Sequence, residues 1–199
     1  MMFHVKQKKI KNMIDNKYNK YIDLLLEYNK YANLISRKLE KKDIEKLIKE
    51  TLILNEIISN KNIIDAGSGN GILGIPISLF AEDKNIVLVE PRKKKIIYLK
   101  NIVSGLGLLN VKVSESYIKD YLLNNKLIGI TLIARGFPDN YELFNYLVND
   151  DIQELVLITI EDKIKKIKIN VDNIKKYVYN IPSKDKLKII KLEKVSRGT

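Results

Sequence analysis

One stretch constrains this chain more than any other: Ile63-Ile64-Asp65-Ala66-Gly67-Ser68-Gly69-Asn70-Gly71-Ile72-Leu73-Gly74-Ile75-Pro76. A short apolar run ends in an acid, breaks into four glycines within eight residues, and continues with apolar residues at helical spacing. The pattern predicts a strand, a tight turn and a helix. Glycine adopts positive φ freely and lets a ligand approach the backbone, while the amides at a helix start attract electron-rich groups. The turn is therefore a nucleotide-sized binding floor, with a glycine-rich turn that holds no ligand as the competing reading.

The register of the glycines separates two ligand classes. Gly69, Gly71 and Gly74 match the G-x-G-x-x-G of dinucleotide sites, but that fingerprint starts two residues late, because Gly67 already follows the strand. Asp65-x-Gly67-x-Gly69-x-Gly71 begins at the strand end and is similar to the D/E-x-G-x-G-x-G turn of class I methyltransferases, which bind S-adenosylmethionine. A second apolar strand, Asn85 to Val89, leads into Glu90 about twenty residues beyond the glycines. An acid there accepts both hydroxyls of a ribose, whichever nucleoside cofactor is bound.

From Ile63 onward strands and helices alternate. Strands are expected at 62–66, 85–90, 110–114, 130–134 and 155–160, with helices from the glycines to about 82 and over 92–104, the latter stopped by Gly105 and Gly107. This predicts an α/β fold, a doubly wound and mostly parallel sheet that binds ligands beyond the carboxyl ends of its strands. Val171 to Tyr179 and Leu187 to Leu192, around Ile181-Pro182-Ser183-Lys184, read as a final antiparallel hairpin.

The first sixty residues differ. Ile14, Tyr18, Tyr21, Ile22, Leu25, Leu26, Tyr28, Leu34 and Ile35 recur mostly at steps of three and four, and a second amphipathic stretch runs from Asp43, read as its N-cap, to Ile57. Residues 1–60 are expected to be a helical N-terminal cover on a methyltransferase domain of 61–199. Tyr18, Tyr21, Tyr28 and Tyr31 fit core or rim positions better than base-stacking ones at that spacing.

Composition narrows the partners. The 199 residues are 45% hydrophobic, enough for one core, and Lys+Arg 36 against Asp+Glu 24 leaves +12. That excess suits a polyanion, with nucleic acid ahead of membrane, although biased genomic composition also produces lysine-rich chains. Arg92-Lys93-Lys94-Lys95, a helix start opened by Pro91, and the run Lys163 to Lys168 could each grip RNA phosphate or simply be solvated. There is no cysteine, hence no disulfide framework, thiolate nucleophile or zinc-finger cluster, and no metal is expected. With neither a signal-peptide core nor a run of eighteen apolar residues, a soluble cytoplasmic protein is expected, and a monomer because no second apolar stripe is left unexplained.

The chain resembles the ribosomal RNA small subunit methyltransferase G family, also called glucose-inhibited division protein B. The resemblance covers nearly the whole chain: Tyr28 to Ser36 in the helical part, Asp65 through Pro76 with its unusual proline, and Leu88-Val89-Glu90-Pro91-Arg92-Lys93-Lys94. Leu99 to Asn110 and Ile133-Ala134-Arg135-Gly136-Phe137 extend it. The resemblance implies methyl transfer from S-adenosylmethionine to N7 of one guanine in 16S ribosomal RNA, with the RNA or the small ribosomal subunit as partner. Gly67, Ser68, Gly69 and Gly71, after Asp65, would line the methionine and ribose portion, and Glu90 would hold the ribose. Tyr117 and Ile118 would offer backbone groups to the adenine. Arg135 would lie near the methyl donor and the guanine, or else form a buried ion pair with Asp65 or a neighbouring acid.

Several positions depart from the family pattern. Its His-x-x-Asp-Ser segment reads Leu47-Ile48-Lys49-Glu50-Thr51 here, its acid after the third strand is Lys119 with Asp120 following, and the aspartate opening its fourth strand is Ile130. The chemistry itself asks little, since guanine N7 has a lone pair and no proton, so an in-line approach suffices without a general base. Arg135 is then a positioning residue, as in bidentate guanine recognition. The lack of cysteine argues against covalent pyrimidine methylation, and no Asn/Asp-Pro-Pro-aromatic tetrapeptide supports exocyclic amine chemistry. The sole histidine, His4, lies in the N-terminal stretch. A small-molecule methyltransferase of the same fold and a noncatalytic RNA-binding protein remain the alternatives, with a nicotinamide oxidoreductase last.

Overall fold

A computed structural model describes residues 16–32, 34–125, 128–137, 140–149, 152–160, 173–181 and 187–195. His4, the basic run at 163–168 and the turn at 182–184 lie outside the described residues. The chain begins with helices α1 (Asn16–Ala32), α2 (Lys41–Leu52) and the single-turn α3 (Leu54–Ile57). Then strand β1 (Asn62–Ala66), α4 (Gly74–Phe80), β2 (Asn85–Val89), α5 (Lys93–Gly105), β3 (Val111–Ser114) and α6 (Ile118–Asn124) alternate. They are followed by β4 (Ile130–Arg135), α7 (Asn140–Asn149), β5 (Ile152–Ile160), β6 (Ile174–Asn180) and β7 (Leu187–Lys194).

The strands form one seven-stranded sheet in the order β3-β2-β1-β4-β5-β7-β6. The first five run parallel, and β7 inserts antiparallel between β5 and β6, so the expected hairpin joins the sheet through its second strand. Period-two alternation sends neighbouring residues to opposite faces. Ile63, Ile133, Val156 and Ile189 pack under Tyr21, Ile22, Leu25, Ile44 and Ile48 of α1 and α2, together with Ile75 of α4 and Leu99 of α5. Ile64, Leu132, Leu157 and Ile190 face Leu143, Phe144 and Leu147 of α7. The N-terminal helices therefore share a core with the sheet.

Boundaries moved where polar residues carry structure. α2 starts at Lys41 with Glu40 as its N-cap, not at Asp43, whose carboxylate instead accepts the Glu40 N–H at 2.9 Å from the third helical position. The expected continuity through Leu34 and Ile35 breaks because the Asn29 side chain accepts the Ile35 N–H at 2.9 Å and ties off the chain after α1. β5 begins at Ile152 rather than Leu155, since Glu154, which interrupts the apolar run, is buried and paired. α4 closes at Phe80, two residues before the expected end, and Pro76 sits in its first turn, where a missing N–H costs nothing. Of the four tyrosines, Tyr18 and Tyr21 are core, Tyr28 stacks edge-on against Tyr98 with centroids 5.4 Å apart, and Tyr31 is exposed.

Candidate functional site

The strand order reverses beside β1, with β2 on one side and β4 on the other. Ligand crevices form at such a switch point, beyond the carboxyl ends of the strands. A cavity of about 650 Å³ opens there, lined by the glycine turn, the end of β2, the start of α6 and the end of β4. Its size is that of a small-molecule or cofactor site.

The floor is held by its own backbone. The N–H groups of Gly67 and Ser68 donate to the Val89 carbonyl at 2.9 and 3.0 Å, and the Ser68 hydroxyl donates to the Asp65 carbonyl at 2.9 Å. Gly67, Gly69 and Gly71 have φ of 68°, 59° and 75°, a region that side chains enter at a cost. Their surroundings differ. A Cβ on Gly67 would touch the Phe137 ring at 3.5 Å, and one on Gly69 would approach Lys95 Nζ at 3.4 Å, both inside the cavity. Gly71 does not line it. A Cβ there would overlap Ile75 and crowd Leu99, so this glycine serves packing between α4 and α5.

Two carboxylates organise the turn. Asp65 Oδ2 accepts the Gly74 N–H at 3.1 Å, which anchors the start of α4 under β1. Burial pushes its carboxyl up to about 7, against the stabilising Gly74 N–H and Ser68 bonds, and nearby Glu90 adds to the rise. Glu90 is buried at 3% exposure; Oε2 accepts from Gly69 N at 2.9 Å and Oε1 from Arg92 N at 3.1 Å. Each carboxylate oxygen has two acceptor sites, so Glu90 retains capacity for two further donors.

Tyr117 precedes α6 and is exposed; Ile118, its first residue, is buried, and both line the cavity. Arg135 ends β4 on the face that bears Thr131 and Ile133, which α2 and α3 cover. Its Nη2 donates to Glu50 Oε2 at 3.1 Å, so the ion pair forms with α2 rather than with Asp65. Nη1 is buried and has no acceptor among the described residues. Lys119 and Asp120 both line the cavity, whereas Ile130 lies at the opposite end of β4 from Arg135 and touches none of it. Leu34, Lys95 and Phe137 join the lining, and none of them is marked individually as a site residue by its sequence pattern. Phe137 stood in the quoted Ile133-to-Phe137 segment, but Leu34 carries only an amphipathic signal in sequence.

The rRNA small subunit methyltransferase G family model matches residues 14–188. A ribosomal RNA small subunit methyltransferase G of Brachyspira hyodysenteriae is 33% identical over 167 residues, covering 82% of this chain and 80% of that protein. The protein of the same name from Colwellia psychrerythraea is 32% identical over 126 residues, which is 63% of this chain but 59% of its own length. Among solved structures, an rRNA methylase of Streptococcus thermophilus shares the fold at a TM-score of 0.55 and 14% identity, covering 81% of this chain and 99% of that one.

Proposed function

The chain belongs to the rRNA small subunit methyltransferase G family, and on that footing we propose that it transfers a methyl group from S-adenosylmethionine to N7 of a guanine in 16S ribosomal RNA. The observation that carries this reading is the cavity at the switch point, where a positive-φ glycine floor, a buried carboxylate with spare acceptor sites and a half-satisfied arginine converge.

The residues present fit the cofactor. Gly67 and Gly69 open the floor to close backbone approach, and Glu90 can accept the ribose hydroxyls while still holding Gly69 and Arg92. Tyr117 and Ile118 line the cavity and would offer backbone groups to the adenine, and the orphaned Nη1 of Arg135 is a donor awaiting an acceptor. When bound, S-adenosylmethionine supplies an electrophilic methyl on a sulfonium. The chain's own task is orientation. Guanine N7 attacks with its lone pair and loses no proton, so the site needs no base, only a ring held in line. Arg135 can hold the ring through O6. The exposed Arg92, Lys93 and Lys94, at the start of α5 beside the cavity, offer charge for RNA phosphate.

We further read the protein as a cytoplasmic monomer; no helix among the described residues is long and apolar enough to cross a membrane. The test combines labelled S-adenosylmethionine with undermethylated small-subunit RNA or particles. Label recovered as 7-methylguanine at one site, and lost in Gly69→Arg and Arg135→Ala, is the expected result. Cofactor binding with label on no RNA would refute the substrate.

A further inference from the structure

We propose that Glu50 is a positioning residue of this site: it fixes the Arg135 guanidinium at the cavity wall and cancels its charge beside a cationic methyl donor. The proposal rests on the methyltransferase reading above.

Glu50 and Arg135 are 85 residues apart in sequence and meet at 3.1 Å. Their side chains are 7% and 20% exposed, so the pair is shielded from bulk water. Burying a carboxylate is costly and is repaid only where geometry holds the partner in place. That geometry comes from α2, which is pinned to the glycine turn one residue further on: Thr51 Oγ1 donates to the Ile72 carbonyl at 3.0 Å. Helix α1 adds a second pin, with the Tyr21 hydroxyl donating to the Asn70 carbonyl at 3.1 Å. Glu50 is thus carried on an element registered against the cofactor floor.

Two consequences follow for the chemistry. One arm of the guanidinium fork is occupied, which fixes the plane and leaves Nη1 as the arm without an acceptor among the described residues. The second consequence is electrostatic. An isolated guanidinium would repel both the sulfonium of the donor and the positive charge that the guanine ring gains. With Glu50 at 3.1 Å the pair presents a dipole, and Arg135 can position the base without opposing the reaction. Lys46, itself about half exposed, lies 3.9 Å from the other carboxylate oxygen, a longer contact than the 3.1 Å to Arg135.

The prediction concerns charge rather than shape. S-adenosylhomocysteine is the neutral thioether of the same cofactor, so the ratio of the two affinities reads the electrostatics at the sulfur. Titration of the full-length Glu50→Gln protein should show the S-adenosylmethionine affinity falling about tenfold more than that for S-adenosylhomocysteine, the order expected for one unit charge about a nanometre away at an effective dielectric near 20. Glu50→Asp, which keeps the charge, should hold the wild-type ratio. The double variant Glu50→Gln/Arg135→Met removes both charges and should restore that ratio, and it serves as the measurement if Glu50→Gln alone does not fold. Equal loss for both ligands in Glu50→Gln, or a double variant still shifted tenfold, would overturn the proposal and leave Glu50 a packing residue. A wild-type chain that binds neither ligand would overturn the methyltransferase reading and this proposal together.

Discussion

Asp65 is a carboxylate buried under a helix start, where it anchors Gly74 and meets little solvent. Its folded-state carboxyl, raised to about 7, binds a proton more tightly than in the unfolded chain. The stabilisation is therefore complete below about pH 4 and is lost as pH rises towards 7. At 1.36 kcal/mol per pH unit the span is on the order of 4 kcal/mol. Denaturant unfolding across that window should show wild type losing stability relative to Asp65→Asn, whose amide oxygen can still accept the Gly74 N–H; parallel curves would refute the assignment. Gly71 presents the steric case. Gly71→Ala combines a left-handed φ of 75° with overlap of Ile75, and should lower stability by about 2–4 kcal/mol, read as a shift in the denaturation midpoint. Both residues stood in the glycine motif, yet the motif does not say which positions face a ligand and which face a helix. Distances to Ile75 and Leu99 decide that, and those side chains come from two different helices.

Among the elements, α2 is expected from its periodicity only as a cover, and its apolar stripe of Ile44, Ile48 and Leu52 is buried. Periodicity carries that much because burial of a helix face repeats every three to four residues. It cannot reveal that Glu50 and Thr51, on the same helix, reach Arg135 and Ile72, since such pairs depend on how the helix lies across the sheet. The cap was misplaced for a related reason. Asp43 is a strong N-cap residue by type, but here it stands three residues inside, where it still accepts the Glu40 N–H. Asp43→Ala should cost about 1 kcal/mol in thermal or chemical unfolding, the loss of one terminal hydrogen bond and a favourable charge at the helix start.

At the scale of the whole molecule, a buried ion pair ties β5 and β7 to β4 and to the segment after α3. Lys191 donates to Glu154 at 2.9 Å, to the Ile57 carbonyl at 3.1 Å and to Ser59 Oγ at 3.1 Å, while Thr131 donates to Glu154 at 2.6 Å. Burial would raise the Glu154 carboxyl, but the bonds from Thr131, Lys191 and Ser59 outweigh it and hold it below the ordinary value. Lys191→Met should cost about 3–5 kcal/mol by leaving that charge uncompensated, measured as a shift in the denaturation midpoint. The +12 charge makes a prediction at the same scale: affinity for RNA should fall steeply between low and physiological salt, and Lys93→Gln should reduce the log–log slope by about 0.7–0.9 if that lysine contacts a phosphate. A slope unchanged by the substitution would place the RNA elsewhere.

What the sequence determined by itself is local and periodic. The strand that carries Asp65, the three left-handed glycines, the carboxylate after β2 and the alternation that forces a parallel sheet all follow from conformational preference and from burial of apolar repeats. What only the tertiary structure decided is which distant groups meet. The insertion of β7 between β5 and β6, the neutralisation of Arg135 by Glu50 and the withdrawal of Gly71 from the cavity all depend on elements that pack across the sheet. Local sequence carries no record of such contacts, because their energies arise only when burial removes water from groups far apart in the chain.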